Sequence, residues 1–164
     1  MNNRPTVLLD IDGVLATPTQ YYTNKKKWHP MYDCYRFDEK CVKVLNQIIE
    51  KVDPIIILSS DWKDRYTIAV LNEIFEWNKV NAKISAVTSS SWGVLFRSMQ
   101  QLEECRSYEI NKYVNEYQID KDKWVAIDDL DLKLWIPDHF VHCTRENEGI
   151  RQRGVKDKIL KILT

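Results

Sequence analysis

Short, unbroken apolar runs recur along the chain and are separated by longer stretches in which polar and apolar positions mix. The first run, Val7-Leu8-Leu9, leads directly into polar residues. Runs this short and this apolar are typical of strands that are buried on both faces of a parallel sheet. The sequence therefore predicts five strands, at residues 7–9, 55–58, 84–87, 124–127 and 140–142.

Between the predicted strands, apolar residues recur with the spacing of one helical face. Residues 38–52 show this pattern most clearly, and Asp38 is suited to cap the helix at its start. The other predicted helices cover residues 63–77, residues 106–117 and the C-terminal segment from Val155, with a helix also possible at residues 96–104. Strands that alternate with helices of this length indicate an α/β fold, with a parallel sheet covered by helices on both faces.

Polar side chains follow three of the predicted strands at the point where each strand ends. These side chains belong to Asp10, Asp12, Ser59, Ser60, Asp128 and Asp129. In an open α/β sheet the carboxyl ends of the strands meet at one edge, which is where ligands bind. We therefore expect these residues to converge there. Ordinary turns after the strands, or a serine N-cap, are the alternative explanations for each pair alone.

Composition narrows the class of protein but not its function. The chain has 164 residues, of which 44% are hydrophobic and 29% charged, as expected for one globular domain over residues 1–164. Lys and Arg together number 24, as do Asp and Glu, so overall charge favours no partner, and nucleic-acid binding would need a local basic patch. No apolar run approaches the ~20 residues of a membrane helix. We expect a cytoplasmic protein whose four scattered cysteines are reduced.

The residue types at the predicted edge suit phosphate chemistry. Several carboxylates without His or Cys form a hard oxygen site, for which Mg²⁺ is the natural ion. Ser59 and a cation, either Arg106 or Lys112, would bind the remaining oxygens of a phosphate group. An Asp carboxylate can then attack phosphorus, while a second Asp serves as general acid and base.

A long stretch without periodicity, residues 16–37, follows the first acidic turn and is expected to lie over the site. It contains Tyr21-Tyr22, the basic run Lys25-Lys26-Lys27, and Trp28. Aromatic residues beside lysines are typical of surfaces that hold nucleic acid. A loop anchored by its own aromatic residues, with solvated lysines, explains the same composition, so the role of the segment from Lys25 to Trp28 stays open.

Three of these segments resemble the signatures of the haloacid dehalogenase (HAD) superfamily. Asp10-Ile11-Asp12-Gly13-Val14 resembles the first signature, Asp-x-Asp-x-(Thr/Val). The strand from Ile55 to Ser59 is similar to the second, and Val125-Ala126-Ile127-Asp128-Asp129 is similar to the fourth. The resemblance implies a Rossmann-like, HAD-like three-layer sandwich with a central parallel sheet. It also implies phosphoryl transfer through an aspartyl-phosphate.

The resemblance also implies a role for each site residue. Asp10 would be the nucleophile, and Asp12 would protonate the leaving group and later activate water. Ser59, with Ser60 beside it, and Arg106 would bind phosphate; Arg106 is placed as the third signature, with Lys112 as the rival. Mg²⁺ would be held by Asp10, Asp12 through its carbonyl, Asp128 and Asp129.

The interval between the first two signatures is too short for a large cap domain, so the site should be open to a bulky or polymeric substrate. Ser59-Ser60-Asp61-Trp62 and the capless build resemble the nucleic-acid-repair branch, including polynucleotide 3′-phosphatase domains. The predicted function is a Mg²⁺-dependent phosphatase acting on a nucleotide or nucleic-acid terminal phosphate. The alternatives are a regulatory binding protein without catalysis and a small-metabolite phosphatase. His142 and Arg145 would either reach the substrate or lie on a surface loop.

Overall fold

The computed structural model of the chain describes residues 4–18, 28–90 and 98–164, and its centre is a parallel five-stranded sheet. The strands are β1 (Thr6–Leu9), β2 (Ile55–Leu58), β3 (Ile84–Val87), β4 (Trp124–Asp128) and β5 (Phe140–His142). Their order in the sheet is β3-β2-β1-β4-β5, with every neighbouring pair parallel. The predicted α/β class and all five predicted strands are confirmed.

Four α-helices in the described part of the chain cover the two faces of the sheet. They are α1 (Glu39–Val52), α2 (Ile68–Trp77), α3 (Met99–Glu116) and α4 (Val155–Leu163). Helices α1, α2 and α4 share one apolar cluster with Leu9, Leu58 and Ile127 of the sheet. Helix α3 covers the opposite face, where Ile110 and Tyr113 pack with the other side of the same strands. The result is the three-layer sandwich that the resemblance implied.

The sheet register places the first polar residue after each central strand in one row. Leu9 of β1 is paired with Leu58 of β2 and with Ile127 of β4. The residues that come next, in the order β1, β2 and β4, are therefore Asp10, Ser59 and Asp128. Because side chains in one row of a parallel sheet point to the same face, all three lie on the face covered by α3.

Two helices differ from their predicted limits. The helix predicted from residue 63 begins at Ile68, because residues Asp61–Asp64 form a 3₁₀ turn and the Thr67 side chain then caps the helix. The helix predicted from residue 106 begins at Met99, so it includes most of the stretch that the pattern left open. Its periodicity is weak because its buried face carries the polar residues Arg106, Ser107 and Glu109.

The interval between β1 and β2 contains α1 and, within the described residues, no separate cap layer. Across the described ranges the fold therefore has no cap over the sheet edge. None of the helices in the described ranges is both long and apolar enough to cross a membrane. All four cysteines, at positions 34, 41, 105 and 143, are free thiols.

A buried ion pair joins α3 to the 3₁₀ turn after β2. Lys63 Nζ lies 2.7 Å from Glu109 Oε2, and the two side chains are only 2% and 6% exposed. Two charges that are removed from water need each other, since either one alone would be left without compensation. The pair therefore fixes α3 against the end of β2, one helical turn away from Arg106.

Replacing Glu109 with alanine is expected to destabilise the fold by roughly 3–5 kcal/mol, because Lys63 would remain buried without a partner. The measurement is the free energy of unfolding in urea. Lys112→Ala is the matched control on the same helix, since Lys112 is 40% exposed and lies 3.8 Å from the exposed Glu116. The control should change stability by less than about 0.5 kcal/mol. Equal effects of the two substitutions would contradict the structural role of the buried pair.

Candidate active site

Three carboxylates from β1 and the end of β4 form a cluster at the carboxyl edge of the sheet. One oxygen from each of Asp10, Asp128 and Asp129 lies within 4.8 Å of the other two. Asp10 is 4% exposed and Asp128 is fully buried, while Asp129 is partly buried. The structure thus brings together acids that are more than a hundred residues apart in sequence.

Burial and mutual repulsion make these carboxylates hard to ionise together. Loss of solvent, followed by the negative charge of Asp128, raises the pKa of Asp10 to about 8 despite the nearby Arg106. Burial likewise raises the pKa of Asp128 and of Asp129 to about 6. A cation at the cluster would favour all three charged forms. Carboxylate oxygens are also the donors that Mg²⁺ prefers, so the residues present fit this ion.

Arg106 supplies a buried positive charge beside the cluster. Its Nη1 donates to Asp128 at 2.7 Å and to Asp10 at 3.3 Å, while Nη2 donates to Asp61 at 2.7 Å. Burial by itself lowers the pKa of the Arg106 guanidinium, but the surrounding carboxylates more than offset this and raise it overall. Of the two cations considered from sequence, Arg106 lies at the carboxylates, and Lys112 is instead paired with Glu116.

The carboxylate of Asp12 lies outside the three-carboxylate cluster. Its Oδ2 accepts a hydrogen bond of 2.9 Å from the indole nitrogen of Trp62, which is itself buried against Phe37. Partial burial raises the pKa of Asp12, while the Trp62 hydrogen bond and the charge of Arg65 act in the opposite direction. Sequence reasoning assigned no role to Trp62, and its only signal was its place just after Ser59-Ser60.

A glycine is required at position 13, because the turn after β1 lies directly against the side chain of Asp129. Its φ of +71° is a conformation that residues with a side chain rarely adopt. A Cβ atom built there would lie 2.4 Å from Oδ2 of Asp129. The turn after β1 therefore packs directly on one of the three clustered acids, a contact that the sequence did not indicate.

Buried hydroxyls line the same edge. The side-chain oxygens of Ser59 and Ser60 are both buried. That of Ser59 has no hydrogen-bond partner among the described residues, whereas the Ser60 hydroxyl lies beside Asp10 and acts to lower the pKa of that carboxyl. Thr88, which follows β3 in the same sheet row, has a buried hydroxyl of the same kind and was not singled out from sequence. Since buried polar atoms are normally paired, unpaired hydroxyls beside the carboxylates are suited to receive oxygens of a ligand.

The two residues near the end of β5 that were considered as substrate contacts, His142 and Arg145, lie in different surroundings. His142 donates from Nε2 to the main-chain carbonyl of Asp129 at 2.8 Å, so it supports the loop that carries this acid. Arg145 is exposed and pairs with Glu148 at 3.1 Å.

In the segment after β1, Trp28 packs edge-on against Tyr35. The rest of that candidate segment, including Tyr21, Tyr22 and the lysine run at residues 25–27, lies outside the described residues.

Comparison with known proteins places the chain in one family. A family model described as "HAD domain in Swiss Army Knife RNA repair proteins" matches residues 6–155. The match includes every residue of the carboxylate cluster, Arg106 and the two serines. No curated protein and no solved structure matches the chain.

The cluster predicts how the stability of the metal-free protein depends on pH. The folded state holds the Asp10 proton up to about pH 8, whereas the ordinary pKa is 3.8, so the folded state binds the proton more tightly than the unfolded state. The contribution of Asp10 to stability is therefore greatest at low pH and falls as the pH rises from about 4 to 8. The expected slope is about 1.4 kcal/mol per pH unit for each proton involved. Urea unfolding in EDTA at several pH values measures it.

The same measurement with Mg²⁺ and with Asp10→Asn tests the cause. Mg²⁺ should stabilise the protein at pH 8 far more than at pH 5, because it must compete with protons for the carboxylates. Asp10→Asn removes one charge, so this variant should be more stable than the wild type at pH 8 in EDTA and should show a shallower pH slope. A pH slope in the wild type that is no steeper than that of Asp10→Asn would contradict this account.

Gly13→Ala is expected to displace Asp129 and to weaken Mg²⁺ binding, because the new methyl group would overlap that carboxylate. Gly154→Ala is the matched control: Gly154 has a φ of +83°, but a Cβ atom at this position would meet no other atom within 4 Å. Both variants carry the backbone penalty of roughly 1–2 kcal/mol for a left-handed residue. Only Gly13→Ala should reduce the stabilisation by Mg²⁺ in a thermal melt, and equal reductions in both variants would disprove the contact.

Proposed function

The chain belongs to the family of HAD domains found in Swiss Army Knife RNA repair proteins, and from this membership and the site geometry we propose that it is a Mg²⁺-dependent phosphatase acting on the terminal phosphate of an RNA strand. The observation that carries the proposal is the carboxylate cluster at the sheet edge, with Arg106 beside it and buried serine hydroxyls just after the adjoining strand. We further propose that the matched residues work as one domain around this single site.

Asp10 is the proposed nucleophile. It lies at the end of β1, in the same sheet row as Ser59 on one side and Asp128 on the other. Its carboxylate oxygen forms a bond to phosphorus, while the bond from phosphorus to the oxygen of the RNA terminus breaks. Water then attacks the phosphoryl group, which releases inorganic phosphate and restores the Asp10 carboxylate.

Asp12 is the proposed general acid and base. It donates a proton to the departing RNA oxygen in the first step and accepts one from the attacking water in the second. Its separation from the three-carboxylate cluster suits this role, because a proton carrier must exchange with solvent and substrate. The hydrogen bond from Trp62 holds the carboxylate in place and leaves its second oxygen available.

The phosphate oxygens are the proposed ligands of Arg106, Ser59 and Ser60. The guanidinium already lies at the oxygens of Asp10, so it is placed to stabilise the charge of a phosphoryl group attached there. The buried Ser59 hydroxyl is a donor without another partner in the described structure, and the buried Ser60 hydroxyl lies beside Asp10.

Mg²⁺ would be held by Asp10 and Asp128, with Asp129 and the main-chain carbonyl of Asp12 beside them. The ion supplies positive charge that neutralises the phosphoryl oxygens and lowers their repulsion with the attacking carboxylate. The absence of a cap layer in the described residues leaves this edge open to the end of a polymer, which favours an RNA terminus over an enclosed small metabolite.

The decisive experiment measures phosphate release from RNA oligonucleotides with a 3′ or a 5′ phosphate, from nucleoside monophosphates and from sugar phosphates, each in Mg²⁺ and in EDTA. We expect Mg²⁺-dependent release that is fastest from a phosphorylated RNA end. Asp10→Asn should lower kcat on the order of 10⁴-fold or more. Asp12→Asn should lower it about 10²- to 10⁴-fold.

Asp122→Asn is the control, because Asp122 is an exposed acid before β4, at the opposite edge of the sheet. Its activity should equal that of the wild type. Full activity of Asp10→Asn would disprove the nucleophile. Release from sugar phosphates alone would indicate a small-metabolite phosphatase, and no release from any substrate would favour a regulatory binding protein.

A further inference from the structure

A cleft of about 870 Å³ beside the edge strand β5 carries a strong excess of positive charge. It lies between the segment that follows β4, the end of β5 and the start of α4. Its charged and titratable lining residues are Lys133, Arg145, Arg153, Lys158, Asp131 and His142. Four basic side chains thus face a single acidic one, in a chain whose Lys and Arg equal its Asp and Glu in number.

Three of these cations have no ion-pair partner within the described residues: Lys133, Arg153 and Lys158. Arg145 makes only an exposed pair with Glu148, which water and salt screen. The cleft beside α1, by contrast, sets the acids Glu39 and Glu50 among its basic residues. Unpaired cations gathered in a concave surface raise the local concentration of anions.

The basic cleft adjoins the loop after β4 that carries Asp129. His142 lines the cleft and also donates to the main-chain carbonyl of Asp129, one of the three clustered acids. Asp131 lines it as well, two residues further along the same loop. The cleft and the carboxylate cluster therefore share the loop that follows β4.

We propose that this basic cleft binds the sugar-phosphate backbone of the RNA strand whose terminal phosphate occupies the active site. The inference rests on the proposed function. Contacts of this kind fix the position of a nucleic acid without reading its sequence, and they supply affinity that falls steeply with salt. The cleft thus makes the enzyme prefer an oligonucleotide to a mononucleotide that presents the same phosphate.

The test compares two substrates that share the reacting group: a nucleoside monophosphate and a ten-nucleotide RNA carrying that terminal phosphate. The variant is Arg153→Ala with Lys158→Ala, two exposed residues far in sequence from the reacting groups. We expect KM for the oligonucleotide to rise roughly 3- to 10-fold, with kcat unchanged and the mononucleotide unaffected. The slope of log affinity against log salt should fall by about 0.7 for each backbone phosphate that the variant no longer neutralises.

The control variant is Lys40→Ala with Lys43→Ala, which removes two exposed cations from α1 and should leave both substrates unaffected. RNA binding by Asp10→Asn with and without the cleft substitutions, followed by fluorescence anisotropy, gives a readout that needs no turnover. An equal effect in the control, or unchanged oligonucleotide KM and salt slope, would overturn the cleft proposal. An enzyme that hydrolyses both substrates without preference would refute only the cleft. An enzyme that hydrolyses neither would refute the proposed function itself.

Discussion

Repulsion among the buried carboxylates at the end of β1 and β4 is the constraint around which the rest of the molecule is arranged. Asp10 and Asp128 are placed side by side by the sheet register, and neither reaches water freely. One guanidinium, that of Arg106, offsets part of their charge. Arg106 in turn needs a fixed α3, which the buried pair of Lys63 and Glu109 provides. Charge compensation therefore extends from the sheet edge to the outer helix layer.

This unfavourable arrangement is also what equips the site for phosphate chemistry. Repulsion among the carboxylates destabilises the metal-free protein. A divalent cation that binds to the cluster removes this repulsion, so the same repulsion increases the affinity for the metal. The two acids of the first motif then differ in environment although they are two residues apart. Asp10 is enclosed with other carboxylates, whereas Asp12 is held by Trp62 on the accessible side. Different surroundings give the proposed nucleophile and the proposed proton carrier different properties.

The features that were predictable from sequence are those encoded within one element. Five apolar runs predicted five strands, and the acids after two of them predicted the carboxylate edge, because strand direction fixes where a strand ends. Contacts between elements carried no such signal. The bond from Trp62 to Asp12, the close approach of Gly13 to Asp129 and the pair of Lys63 with Glu109 all join residues from different elements. The start of α3 was missed for a related reason, since polar residues on its buried face are paired only in three dimensions.

The spatial distribution of charged side chains is likewise set by the fold and cannot be read from the sequence. A net charge of zero says nothing about where the charges lie, and here folding pairs many of them while leaving Lys133, Arg153 and Lys158 together on one side of β5. The two purposes that we propose call for two kinds of cation. Arg106 is buried and fixed by three carboxylates, Asp10 among them, whereas the cleft cations Lys133, Arg153 and Lys158 are exposed. A polymer that carries one phosphate to be removed and many to be retained needs both kinds, since a buried guanidinium recognises a single group and a solvated patch recognises a charged chain.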